Sequence, residues 1–109
     1  MKIRNGFVSN SSSTSFTIIN KSSESKTLVD FVKENAFLIG QFNSYYDYEF
    51  TLEECVRDAE NEDVTFEPKE EKELIFSDGD GPLGHVYDYI LRDGGESENF
   101  KWSFLQSLR

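Results

Sequence analysis

Cysteine is almost missing from this chain: Cys55 stands alone among 109 residues. One thiol cannot close an internal disulfide or build a thiolate zinc site by itself. Histidine is equally scarce, and His85 is the single imidazole available as a general base. No apolar run approaches the roughly 20 residues of a membrane helix, so no membrane partner is expected. Met1-Lys2-Ile3-Arg4 carries basic residues with no hydrophobic stretch behind them, the wrong arrangement for a secretory signal. The expected compartment is therefore the cytoplasm.

Positive charge is the other shortage. Eleven Lys and Arg face 21 Asp and Glu, for a net charge of −10. The first fifty residues are balanced, whereas residues 51–109 hold six basic and sixteen acidic side chains and carry the whole excess. Affinity for a phosphate backbone comes from Lys and Arg displacing counterions, so direct nucleic-acid binding is disfavoured. A protein partner with a basic surface would instead be attracted and steered.

The motifs of several chemistries are absent too. Asp78, Asp80 and Asp88 surround a Gly-rich turn, but a calcium loop counted from Asp78 puts Pro82 at position 5, Leu83 at position 6 and Tyr89 at position 12. It therefore lacks the ligand, the glycine and the terminal glutamate that the loop needs. An exposed turn is the better reading, and no metal is expected. Serine is plentiful but never in a G-x-S-x-G elbow; a turn or helix-start role for His85 outweighs a catalytic one. A Cys55–His85 pair fares no better, because Cys55 falls on the apolar stripe of an expected helix. The phosphate loop G-x-x-x-x-G-K-[ST] does not occur. Gly79, Gly81 and Gly84 have dinucleotide-fingerprint spacing, but Pro82 removes an amide there and no acidic ribose partner is placed. No cofactor is expected, and no catalytic residue.

What is present is aromatic bulk: ten Phe, five Tyr and one Trp within an apolar fraction of 37%. Each ring can bury roughly 150–250 Å², enough for the one core that a domain of this length supports. Thr14 to Asn20 is β-branched and aromatic and predicts a strand. Thr27 caps a predicted helix from Leu28 to Ile39, with Leu28, Phe31, Val32, Ala36 and Ile39 on one face and Gly40 as its stop. Gln41 to Phe50 reads as an irregular or extended segment. Thr51 and Glu54 form a capping-box pair for a second helix, striped by Leu52, Cys55, Val56 and Ala59 and ending near Glu60 to Asn61. Short strands are expected at Val64 to Phe66 and Lys72 to Ser77. A turn at 78–82 follows, then a helix through Val86, Tyr87, Ile90 and Leu91 that stops at Gly94-Gly95, and a strand from Asn99 to Phe104. This order, without regular βα alternation, predicts a single α+β domain over 1–109. Its small antiparallel or mixed sheet of about four strands would pack against two or three helices, with residues 1–13 as a Ser-rich N-terminal arm.

Two features carry the functional expectation. Ten carboxylates crowd between residues 53 and 73: Glu53, Glu54, Asp58, Glu60, Glu62, Asp63, Glu67, Glu70, Glu71 and Glu73. They read either as a solvated face that keeps the protein soluble or as a phosphate-like surface for a basic groove. The latter requires the carboxylates to be held at fixed spacing on rigid elements. Phe42, Tyr45, Tyr46, Tyr48 and Phe50 lie within nine residues, the density of a core lid or of a binding hot spot. Both readings stand.

The opening Lys2-Ile3-Arg4-Asn5-Gly6-Phe7-Val8-Ser9-Asn10-Ser11-Ser12-Ser13-Thr14-Ser15-Phe16 resembles a recurrent leader, RxGFVSNSSSSSF, of short uncharacterised bacteriophage and bacterial proteins. It departs from that pattern mainly at Thr14, where serine is usual. The resemblance covers about the first sixteen residues and implies a phage or mobile-element setting, hence the host cytoplasm or a virion; it offers no catalytic residue. The expectation is a non-enzymatic acidic protein that docks on a host protein through Glu53 to Glu73 and blocks a basic nucleic-acid-binding surface. The alternative is an assembly component whose Ser-rich arm packs against neighbouring subunits.

Overall fold

The computed structural model describes residues 2–3, 13–77, 79 and 81–108; residues 4–12, most of the Ser-rich arm, lie outside them, as do Asp78 and Asp80. The described residues form seven strands and four helices: β1 (Lys2–Ile3), β2 (Ser13–Asn20), β3 (Lys26–Thr27), α1 (Leu28–Glu34), α2 (Phe37–Tyr46), α3 (Leu52–Glu62), β4 (Thr65–Phe66), β5 (Glu71–Ser77), α4 (Gly81–Ile90), a 3₁₀ turn at Leu91–Asp93, β6 (Gly95–Glu96) and β7 (Phe100–Leu108). The fold is α+β. One antiparallel sheet runs β1-β5-β2-β7-β6, and a small ribbon pairs β3 with β4.

The sheet's long strands, β2, β5 and β7, alternate as the pleat requires. Phe16 and Ile18 on β2, Leu74 and Phe76 on β5, and Phe100 and Trp102 on β7 meet the helices and are all but sealed from solvent. Phe31 of α1 sits at the centre, its ring edge-on to Tyr87, Phe100 and Trp102 at centroid separations of 5.6, 5.2 and 5.4 Å. This T-shaped geometry sets the positive ring edge against a negative face. A bulge lies where β2 passes from Ser15 to Phe16: their partners on β7 are Gln106 and Phe104. The extra residue, Leu105, and its neighbour Phe104 are each 45% exposed, as the local bend of a bulged strand allows.

The helical run expected from Leu28 to Ile39 is broken in two. Asn35 ends α1: its backbone N–H and its Nδ2 both donate to the Phe31 carbonyl, at 3.1 and 3.0 Å. A side chain that competes for backbone partners in this way interrupts a helix. Gly40, expected as a stop, instead lies inside α2, with nothing within 4 Å of the position a Cβ would take. The expected capping box is formed: Thr51 Oγ1 accepts from the Glu54 amide at 3.1 Å and Glu54 Oε1 accepts from the Thr51 amide at 2.9 Å. Thr27 and Asp30 make the same reciprocal pair on α1.

Three polar contacts close the shell. Asn20, buried at the end of β2, donates through Nδ2 to the carbonyls of Glu24, Phe66 and Glu67, and accepts through Oδ1 from Ser22. Asp88, wholly buried on α4, accepts from Thr14 Oγ1 at 2.6 Å and from the Arg92 guanidinium at 3.3 Å. Glu34 on α1 holds the β6–β7 turn, accepting from the Ser97 hydroxyl and from the backbone and side chain of Asn99. Burial pushes its carboxyl up, but those donors, aided by the Lys26 charge, outweigh burial and leave it below the usual carboxylate range.

Candidate functional site

The carboxylates between Glu53 and Glu73 are distributed over three places: α3, the corner that carries β4, and the start of β5. Glu53, Glu60, Asp63, Glu67 and Glu71 are exposed; Glu54, Asp58, Glu62, Glu70 and Glu73 are half-buried. Several are clamped by neutral donors. Glu54 closes the α3 capping box. Asp58 Oδ2 accepts from the Leu83 amide at 3.1 Å, so α3 caps the start of α4. Glu67 accepts from the Ser25 hydroxyl at 2.6 Å, and Glu70 accepts from the Glu67 amide at 2.8 Å. A neutral donor fixes a carboxylate in space and stabilises its charged form without cancelling its charge. Glu70 also meets Lys72 at 4.0 Å, and Glu73 accepts from Ser15.

The aromatic segment divides between the two readings left open by its composition. Phe42, on the inner side of α2, is 1% exposed and acts as lid. Its ring lies 4.9 Å from Tyr46, 5.4 Å from Tyr48, 6.0 Å from Phe50 and 5.5 Å from His85. The outer rings reach solvent: Tyr45 is 72%, Tyr46 49% and Tyr48 42% exposed. The backbone explains the split. α2 runs on to Tyr46, and Asp47 then adopts a left-handed conformation (φ 60°, ψ 48°) that reverses the chain. Asn43 secures the return, donating to the Phe50 carbonyl at 2.8 Å and accepting from the Phe50 amide at 3.1 Å. Tyr48 consequently stacks on Phe50 at 5.2 Å and 8°.

His85 and Tyr89, one turn apart on α4, complete the ledge, with Tyr48 4.8 Å from His85 and Tyr46 5.6 Å from Tyr89. The Arg92 guanidinium lies 4.8 Å over the Tyr89 ring. Their four-residue spacing was the only hint that these α4 side chains share a face; nothing in the sequence pointed to Asn43 or to the reversal at Asp47.

Of the residues considered for chemistry, Asp78 and Asp80 lie outside the described residues, His85 is half-buried and Cys55 is sequestered. His85 is ringed by Phe42, Tyr48, Phe50 and Tyr89, and it lies within α4. The Cys55 thiol is fully buried; burial, with Asp58 and Glu54 nearby, pushes its pKa up to about 12. Tyr87 Oη is buried with no hydrogen-bond partner among the described residues, and burial followed by the Cys55 charge drives its pKa well above the usual value. Among the described residues no three metal-capable side chains come together, and no helix is long and apolar enough to cross a membrane. No protein-family model matches the chain, and neither a curated protein nor a solved structure matches it.

Proposed function

We propose that this is a non-enzymatic acidic binding protein, in a phage or mobile-element setting, that docks on a host protein and covers a basic, nucleic-acid-binding surface. The observation that carries the reading is the clamping of Glu54, Asp58 and Glu67 by neutral donors. A charged face competes for a basic groove only when its charges are pre-positioned, since ordering flexible side chains on binding costs about 0.5–1.5 kcal/mol each. Here that ordering is supplied by capping and turn contacts the fold makes anyway. The buried, protonated thiol of Cys55 favours a binding role over a catalytic one. The setting rests on the N-terminal resemblance.

The test is retention of a basic protein from bacterial lysate by the immobilised chain, compared with a Glu53→Gln/Glu60→Gln/Glu71→Gln variant. These three side chains are exposed, so the fold should tolerate the change. Wild type is expected to retain a nucleic-acid-binding protein at low salt, to release it to added duplex DNA, and to lose it at about 1 M salt, where charges more than about 3 Å apart are screened. Retention that is unchanged in the variant, or indifferent to DNA, would overturn the reading.

A further inference from the structure

We infer that the exposed tyrosines at the end of α2, Tyr45, Tyr46 and Tyr48, receive arginine side chains from a basic segment of the protein partner. The inference rests on the docking function proposed above and identifies what the aromatic ledge contributes to it.

Three observations converge on arginine. All three rings are accessible and two of them are supported: Tyr48 lies against Phe50 and Tyr46 against Phe42, so an incoming group meets surfaces already in place there. Carboxylates alternate with them along the chain, Tyr45-Tyr46-Asp47-Tyr48-Glu49, with Glu53 in the first turn of α3; Asp47, Glu49 and Glu53 are all exposed. The molecule already makes the proposed contact once, with Arg92 over Tyr89, a ring that itself touches Tyr46.

A guanidinium stacks on an aromatic face with its planar cation, and it is more weakly hydrated than an ammonium, so it loses less on leaving water. Nucleic-acid bases also stack on tyrosine, but their phosphates would enter a field of net charge −10. An apolar helix would be badly served by a surface interleaved with carboxylates.

The probe is a short oligo-arginine peptide, with the citrulline peptide as neutral isostere and oligo-lysine as charge control, followed by NMR of the tyrosine rings. Arginine peptide should shift the ring signals of Tyr45, Tyr46 and Tyr48 and bind more tightly than lysine peptide; citrulline peptide should not bind. Each exposed ring accounts for about two- to fivefold in affinity. Tyr45→Leu/Tyr48→Leu should therefore weaken binding about tenfold, whereas Tyr45→Phe/Tyr48→Phe should stay within about twofold. Tyr45→Leu alone guards against misfolding, since Tyr45 makes no ring contact among the described residues; it should cost about two- to fivefold. Equal affinity of the leucine variants and wild type overturns the inference. If the Glu53→Gln/Glu60→Gln/Glu71→Gln variant still weakens binding in that case, acidic docking survives without the ledge. No binding of either cationic peptide would sink both.

Discussion

Cys55 shows how a single side chain can be chemically silenced by its position. It sits in the fourth position after the Thr51 cap, on the inner stripe of α3, and its thiol is sealed from water. Desolvation disfavours the thiolate, and Asp58 and Glu54 add like charge, so the pKa rises from 9.0 to about 12. Two outcomes follow. A disulfide reagent should label Cys55 only as the protein unfolds, with labelling rate tracking urea concentration through the unfolding transition. The pH dependence is set by the same shift. Below about pH 9 the thiol is protonated in both states and the stability is complete. Above it the unfolded chain releases a proton that the folded chain keeps, so stability falls as pH rises from about 9 towards 12. Tyr87, also raised, joins only above its ordinary 10.0. Between pH 9 and 10 the slope therefore belongs to Cys55, and Cys55→Ala should flatten it in urea melts; an unchanged slope would place the thiol in water.

At the scale of elements, most of what could be read in advance was local. β2, α3 and β5 appear within a residue or two of expectation because their signals, β-branched runs and a Thr-x-x-Glu box, act through neighbouring backbone groups. What stayed hidden depends on contacts distant in sequence. β7 runs on past Phe104 because β2 extends alongside it from Ser13, and the two-residue strands β1, β3 and β6 exist only through their partners. The acidic stretch was legible as composition, but not which carboxylates the fold would clamp. Asp58 is the clearest case. Gly81 (φ 88°) turns the chain so that Pro82 stands at the helix entrance, where its missing N–H costs nothing, and the Leu83 amide is left for an acceptor from α3. Asp58→Ala should cost about 1 kcal/mol, the usual value of an N-cap. Asp58→Asn should recover part of that, since it keeps the acceptor and gives up the charge that favours a helix N-terminus. Gly81→Ala should also destabilise by about 1–2 kcal/mol, because the left-handed backbone disfavours a side chain and the new Cβ would approach Asp58 Oδ2 to 2.9 Å. Urea melts of the three variants check the ranking; an Asp58→Ala variant as stable as wild type would remove the cap from the account.

For the molecule as a whole, the excess of negative charge acts on folding and on binding in opposite senses. Its principal extents are 35 × 30 × 25 Å, comparable to the screening length of about 30 Å at 0.01 M salt. At that ionic strength the surface carboxylates repel one another across the whole body. At 1 M, where screening acts within about 3 Å, only contact pairs still interact. The pairs that salt would weaken are partly exposed, among them Lys21–Glu96 at 2.9 Å, Lys26–Glu24 at 3.9 Å and Lys72–Glu70 at 4.0 Å, of a kind worth no more than about 1 kcal/mol each. Repulsion relieved should therefore exceed attraction lost. Moving from about 0.01 M to about 1 M sodium chloride at pH 7 should stabilise the fold by on the order of 1 kcal/mol. For a domain of this size that is roughly 4–8 °C in Tm. Binding to a basic partner should weaken over the same range, so a partner lost at high salt cannot be attributed to an unfolded chain. A Tm that falls with salt would mean that paired charges dominate and that the acidic surface is largely neutralised from within, leaving little field to steer a partner.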